Sequence, residues 1–228
     1  MMYTIVPLAG PDLIMKNGVF KPLHIIDNQP LITKVLKSRS WYKKENPFIF
    51  IVREVNGISQ LVSFLNNNFE NCQVVLIPNI TKGALLSCIS GAGLVKNYRS
   101  PVCVDLADIL YSCNLEPVRM FQENLDLYGI IPSFNSSDPK FSYLEVKKNT
   151  VIKTREKSVI SAIASSGTYF FNRLSSFLEA AAWSLNNEHE ISYKNNLFLC
   201  PAYNFFASRG MKVEHYPVDN VQYMNNDS

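Results

Sequence analysis

The sequence predicts an α/β fold with a mixed, mainly parallel central sheet. In its first half, short continuous runs of Val, Ile, Leu and Phe alternate with segments of helical period. Such runs mark strands buried on both faces, as in a parallel sheet covered by helices. In its second half the runs shorten and polar turns separate them, so the sheet is expected to become mixed. The chain has 228 residues, of which 47% are apolar and 18% charged. That is enough apolar material for one large core.

The elements follow in order. Tyr3–Leu8 reads as a buried strand ending at Ala9-Gly10. Leu31, Ile32, Val35 and Leu36 have helical spacing within 30–37. Residues 47–52 (PFIFIV) form a second strand, 58–65 an amphipathic helix, and Cys72–Ile77 a third strand. Residues 82–95 are helical, with Thr81 as N-cap. Residues 101–106 form a fourth strand, which ends in the acidic Asp105 and Asp108. Shorter strands are expected at 129–134, 141–146, 150–154 and 166–171. A helix at 177–186 and a late strand at 212–218 complete the pattern. The polar residues 224–228 are expected to fray. No internal repeat or Pro/Gly/Ser-rich linker divides the chain, so 1–228 is read as one domain.

Composition excludes several function classes. Lys plus Arg number 22 and Asp plus Glu 19, a net charge of +3, too mild for a nucleic-acid or anionic-membrane surface. No apolar run approaches a membrane span, and residues 1–10 lack the basic region and cleavage pattern of a signal peptide. The five cysteines include no Cys-x-x-Cys pair and are expected to be reduced thiols in a cytoplasmic protein. His24, His189 and His215 follow no metal-ligand spacing. The 14 Phe, 11 Tyr and 2 Trp permit a homodimer interface without requiring one.

Ligands of open α/β sheets bind beyond the carboxyl ends of the strands. Two ends stand out here: Leu8-Ala9-Gly10, with Lys21-Pro22-Leu23 beyond it, and Asp105-Leu106-Ala107-Asp108. A lysine at one end and carboxylates at the other suit a phosphate chain with a divalent cation. Mg²⁺ takes one or two carboxylates and completes its shell from phosphate oxygens and water. For Asp105 a turn-forming or helix-capping role stands beside a ligand role.

Taken together, these segments resemble the sugar-phosphate nucleotidylyltransferases, in particular the short ones of bacterial capsule and surface-polysaccharide gene clusters. The resemblance rests on residues 6–10 (VPLAG), Lys21-Pro22-Leu23, residues 28–32 (NQPLI) and Thr81-Lys82-Gly83-Ala84. Further along it rests on Asp108, residues 134–143, Glu156-Lys157 with Ser161, residues 167–171 (GTYFF) and Pro201-Ala202-Tyr203-Asn204. The resemblance implies a Rossmann-like nucleotide-diphospho-sugar transferase fold of GT-A type. Residues 1–110 would be its nucleotide half and 111–228 its sugar-phosphate half. It implies nucleotidyl transfer from a nucleoside triphosphate to a sugar 1-phosphate, or a similar phosphorylated small molecule, with release of pyrophosphate.

The resemblance also implies roles for particular residues. Lys21 and Asp108 would be catalytic, with Leu8, Ala9, Gly10, Lys16, Thr81 and Gly83 on the nucleotide. Glu156, Lys157, Gly167, Tyr203 and Asn204 would bind the sugar phosphate. Asp108 and Asp219 would hold Mg²⁺.

The first loop departs from the family pattern Gly-x-Gly-x-Arg. Residues 10–18 read GPDLIMKNG, without the second glycine or the arginine. Pro11 has no N–H to offer a phosphate, and Asp12 adds negative charge. Only Lys16 could replace the lost cation, as a point charge rather than a fork. With nine glycines in all, the chain is poor in the residue that phosphate loops use. Two further readings therefore stand beside transfer. One is a family member without activity that binds nucleotide, sugar phosphate or a partner subunit. The other is a GT-A glycosyltransferase using a nucleotide sugar through Asp105 and Asp108.

Overall fold

The computed structural model describes residues 1–224. The chain runs β1 (Tyr3–Leu8), β2 (Ile25–Ile26), β3 (Gln29–Pro30), α1 (Leu31–Lys37), β4 (Phe48–Arg53), α2 (Ser59–Asn68), β5 (Cys72–Ile77) and α3 (Ala84–Ala92). It continues through β6 (Val102–Asp105), β7 (Ile109–Ser112), α4 (Pro117–Glu123), β8 (Leu127–Asn135), β9 (Tyr143–Lys147), β10 (Thr150–Arg155), β11 (Ile163–Ser165) and β12 (Thr168–Phe171). The C-terminal part comprises α5 (Leu174–Asn186), α6 (Glu188–Ile191), α7 (Leu199–Ala202), α8 (Asn204–Ala207), β13 (Lys212–Pro217) and β14 (Asp219–Tyr223).

One ten-stranded sheet unites both halves, in the order β11-β9-β10-β13-β8-β12-β6-β1-β4-β5. At one side β6, β1, β4 and β5 are all parallel. Taken in chain order these four are arranged third, second, first, fourth. Chain direction across the sheet therefore reverses between β1 and β6, and the crevice at such a switch point is where doubly wound sheets bind ligands. Beyond β6 the sheet is mixed: β12 runs antiparallel to β6 and β8, while β13 is parallel to β8. The expected α/β fold with a mixed central sheet is the one observed, its parallel pairings gathered mainly at the β6-β1-β4-β5 side.

The apolar runs explain the placement. Residues 48–52 of β4 and all of β6 and β12 are buried, as central strands covered on both faces must be. On α5, Leu174, Phe177, Ala180, Ala181 and Ser184 form one buried face, the stripe expected of a helix lying on a sheet. A second core packs α1 and α2 against the opposite face, through Ile32, Val35, Leu61, Leu65 and Phe50.

Several expectations are corrected in detail. The helix read as 82–95 is α3, Ala84–Ala92, and its N-cap is Gly83 rather than Thr81. Thr81 Oγ1 instead donates to the Gly83 carbonyl oxygen and meets Ser87 Oγ at 2.7 Å. The strand read as 166–171 is shorter, β12 at Thr168–Phe171, and a turn at Ser166-Gly167 separates it from β11. The sequence reading missed β7, α4, β11 and β14, and the short elements β2, β3, α6, α7 and α8. Of the tail expected to fray, 225–228 lie outside the described residues. No described helix is long and apolar enough to cross a membrane. The five cysteines are all free, and Cys88, Cys103 and Cys200 are buried.

Candidate active site

A cleft of about 570 Å³ opens over the carboxyl ends of β1 and β6. Residues after β1 (Ala9 to Leu13, with Lys21) line it, as do Leu106 to Ile109 after β6. The second half supplies the facing wall: Lys140 to Ser142, Glu156, Lys157, Ser165 and Gly167. The two strand ends singled out in the sequence thus flank one crevice.

Asp108 enters the cleft from a tightly held turn. Asp105, at the end of β6, is buried and accepts two hydrogen bonds from the Arg39 guanidinium, at 2.9 and 3.2 Å. Arg39 Nη2 also donates to the Ile109 carbonyl oxygen at 2.9 Å. Arg39 therefore grips the chain on both sides of Asp108. Between these grips Ala107 adopts φ +56° and donates its N–H to Asp105 Oδ1 at 2.9 Å. Thr168 Oγ1 donates to Asp105 Oδ2, and Tyr111 OH donates to Thr168 Oγ1. The guanidinium lies 3.8 Å from the centre of the Tyr111 ring. Burial opposes the Arg39 charge, but the Asp105 carboxylate more than restores it. Asp105 is thus a buried structural anion, and only Asp108 of the pair faces the cleft. Burial pushes the Asp108 carboxyl above the ordinary aspartate value, while Lys21 pulls it down.

Gly167 completes this side. It has φ +77°, a left-handed conformation that costs glycine little. A Cβ there would lie 3.3 Å from Asp108 Oδ1.

The loop after β1 is held differently. Pro11–Leu13 form a single 3₁₀ turn. Lys21 Nζ donates to Asp12 Oδ2 at 2.5 Å. Burial works against the Lys21 charge, but Asp12, with Asp108 behind it, keeps its pKa above the ordinary lysine value.

On the facing wall, Ser142 Oγ donates to Glu156 Oε2. Burial raises the Glu156 carboxyl, against the pull of that hydrogen bond and of Lys157. Lys157 has φ +48°, and its ammonium lies 5.6 and 5.9 Å from the rings of Tyr193 and Phe198.

Of the residues expected at the site, Leu8, Ala9, Gly10, Lys21, Thr81, Gly83, Asp108, Glu156, Lys157 and Gly167 line this one cleft. Four others do not. Lys16 is exposed, in the turn that Met15 and Gly18 close. Tyr203 is fully buried, and its OH donates to the Phe170 carbonyl oxygen at 2.7 Å. The Asn204 amide bonds both the N–H and the carbonyl of Thr154. These two side chains tie α7 and α8 to the sheet. Asp219 is exposed at the opposite end of β14 from the cleft-lining Tyr223. The expected second metal ligand is therefore not in the cleft.

Gly83 has a structural reason to be glycine. Its φ is +106°, and a Cβ would fall 2.1 Å from the Leu197 carbonyl oxygen, where the 81–83 loop meets the 196–198 loop. Among the described residues, no three His, Cys, Asp or Glu side chains cluster as a metal site. One hard oxygen donor, Asp108, with Glu156 across the cleft, fits a cation that draws its remaining ligands from phosphate and water. Sequence reasoning missed Lys140, Ser142, Phe198 and Tyr223 as cleft residues, although Lys140 and Ser142 lie within the segment 134–143 that carried part of the resemblance.

No protein-family model matches the sequence, and no curated protein matches it. Solved structures do match in fold. A nucleoside-diphosphate-sugar pyrophosphorylase from Vibrio cholerae RC9 superposes with a TM-score of 0.80 over 98% of this chain and 95% of that one, at 21% identity. The inositol-1-phosphate CTP transferase from T. maritima gives 0.70 over 98% and 88%, at 17% identity. The chain therefore has the Rossmann-like α/β fold on which these nucleotidyltransferases are built.

Proposed function

We propose that the protein transfers a nucleotidyl group from a nucleoside triphosphate to a sugar 1-phosphate, or a similar phosphorylated small molecule, in surface-polysaccharide assembly in a bacterial cytoplasm. The observation that carries this reading is one cleft with complementary walls. Lys21 and Asp108 stand at the switch point between β1 and β6, and Glu156 and Lys157 face them. Residues 1–110 would receive the nucleotide and 111–228 the acceptor phosphate.

In the reaction, an oxygen of the acceptor phosphate attacks the α-phosphorus. The bond from that phosphorus to the bridging oxygen breaks, and the electron pair leaves with pyrophosphate. Such a transfer needs in-line positioning and charge neutralisation more than covalent help. Lys21 would neutralise the α-phosphate. Lys157, held against two rings, would bring positive charge to the acceptor phosphate, and Glu156, held by Ser142, would accept sugar hydroxyls. Asp108 would hold Mg²⁺, which supplies positive charge to the phosphate oxygens when bound. The GT-A glycosyltransferase reading loses its second carboxylate, because Asp105 is turned into the core against Arg39. The binding-only reading is favoured by Pro11 and Asp12 in the first loop.

The test is to incubate the protein with each nucleoside triphosphate, Mg²⁺ and a panel of sugar 1-phosphates, and to measure pyrophosphate release. The expected result is release with one pairing, lowered by about 10²-fold or more in Lys21→Ala, as for loss of a charge-stabilising donor. Nucleotide binding without turnover in any pairing would sink the transferase reading and leave the binding role. An unchanged rate in Lys21→Ala would remove that lysine from the mechanism.

A further inference from the structure

We infer that Asp12 sets how strongly the cleft holds phosphate: its carboxylate occupies the Lys21 ammonium, and a phosphate reaches that lysine only by displacing it. The inference rests on the reading above, that phosphate is received at Lys21.

The geometry is specific. The Lys21 side chain is 12% exposed and lies inside the cleft, whereas that of Asp12 is 55% exposed at the mouth. One carboxylate oxygen bonds Lys21 Nζ. The other is folded back over Gly10, so close that a Cβ on Gly10 would lie 2.7 Å from it. An anionic side chain of the protein thus stands where an anionic ligand would seek its lysine.

The rest of the loop offers little to replace Lys21. Pro11 has no N–H. Leu13 N–H donates to the Gly10 carbonyl oxygen, Met15 N–H to Val19, and Gly18 N–H to Met15. These amides are committed within the loop rather than turned to a ligand. Around the cleft, Lys21, Lys140 and Lys157 are matched by Asp12, Asp108 and Glu156. A polyphosphate brings several more negative charges into that balanced site.

Of the three carboxylates, Asp108 and Glu156 are fixed by their surroundings. Asp12 sits on a single 3₁₀ turn anchored by the buried Leu13, and its own side chain is largely in solvent, free to give way to a ligand. Phosphate binding here is an exchange of one anion for another on the same ammonium. Such a cleft favours ligands whose phosphate groups carry enough charge to outcompete a carboxylate, as in a polyphosphate chain, over a phosphodiester.

The test is calorimetric titration of inorganic pyrophosphate, with chelator and without divalent cation. The proteins are the wild type, Asp12→Asn, Lys21→Ala and the double variant. Asp12→Asn keeps the shape of an exposed side chain. It should bind pyrophosphate about two- to fivefold more tightly, the scale of one partly exposed ion pair. In the Lys21→Ala background the same substitution should give no gain, because the competition acts through that lysine. Equal or weaker binding by Asp12→Asn overturns the inference. So does a gain that persists without Lys21, which would reflect general charge at the mouth. If Asp12 were a cation ligand instead, Asp12→Asn would bind no tighter with chelator and more weakly with Mg²⁺. Wild-type binding without a gain in Asp12→Asn removes only the role of Asp12. No pyrophosphate or nucleotide binding by any of the four proteins would remove the functional reading as well.

Discussion

The turn after β6 and the loop after β1 lie side by side at one switch point, yet they are built on opposite principles. The turn holds Asp108 through a buried ion pair, Arg39 with Asp105, whose side chains are each 2% exposed. Three further hydrogen bonds brace it, from Ala107, Thr168 and Arg39 itself. The loop holds Lys21 through one ion pair whose acidic member is largely in solvent. Removing one partner of a buried pair strands a charge in the core, whereas an exposed pair is screened and contributes little. One side of the site is thus a fixed carboxylate and the other an adjustable ammonium.

The largest expected effect tests the fixed side. Arg39→Ala would leave Asp105 charged and unpaired in the core. It should lower unfolding stability by about 3–5 kcal/mol, measured by urea denaturation. Arg39→Lys should recover part of this, since lysine restores the charge but not the two-pronged geometry. A loss under about 1 kcal/mol, the range of surface pairs, would erase the contrast between the two regions.

A smaller effect separates the glycines that flank them. Gly167 is left-handed and a Cβ there would press on Asp108, so Gly167→Ala should cost about 1–3 kcal/mol from backbone strain. Gly10 has φ −67°, which alanine adopts freely. Gly10→Ala should therefore be near neutral in stability, with only the movable Asp12 side chain giving way. Equal costs at the two positions, compared by thermal unfolding, would mean that the loop is as rigid as the turn.

The same contrast explains what the sequence disclosed. The strands were legible because a buried strand announces itself as a continuous apolar run, as in 48–52 and 102–105. The site's location followed, since Lys21 and Asp108 come soon after two such runs. What the sequence concealed were partners far apart along the chain. Arg39 and Asp105 are separated by 66 positions, and nothing local marks either as half of a pair. Tyr203 and Asn204 looked like ligand residues because they are polar within a recognisable motif. Their partners, Phe170 and Thr154, appear only once α7 and α8 lie on the sheet. Asp12 was visible as an oddity of the first loop, but its occupation of Lys21 depends on a loop conformation that composition does not encode.

The smallest expected effect falls on that ion pair. For folding, as distinct from binding, Asp12→Asn should change stability by less than about 1 kcal/mol. Any loss should shrink further as salt rises, since charges at the mouth are screened within about 10 Å at 0.1 M ionic strength. Lys21 keeps a second anion nearby in Asp108, so loss of Asp12 does not strand it as loss of Arg39 strands Asp105. A stability loss of several kcal/mol, insensitive to salt, would show that Asp12 is part of the scaffold. An aspartate built into the scaffold would not yield its place to a ligand. Denaturation of Asp12→Asn at low and high salt therefore bears on whether the loop after β1 is adjustable at all.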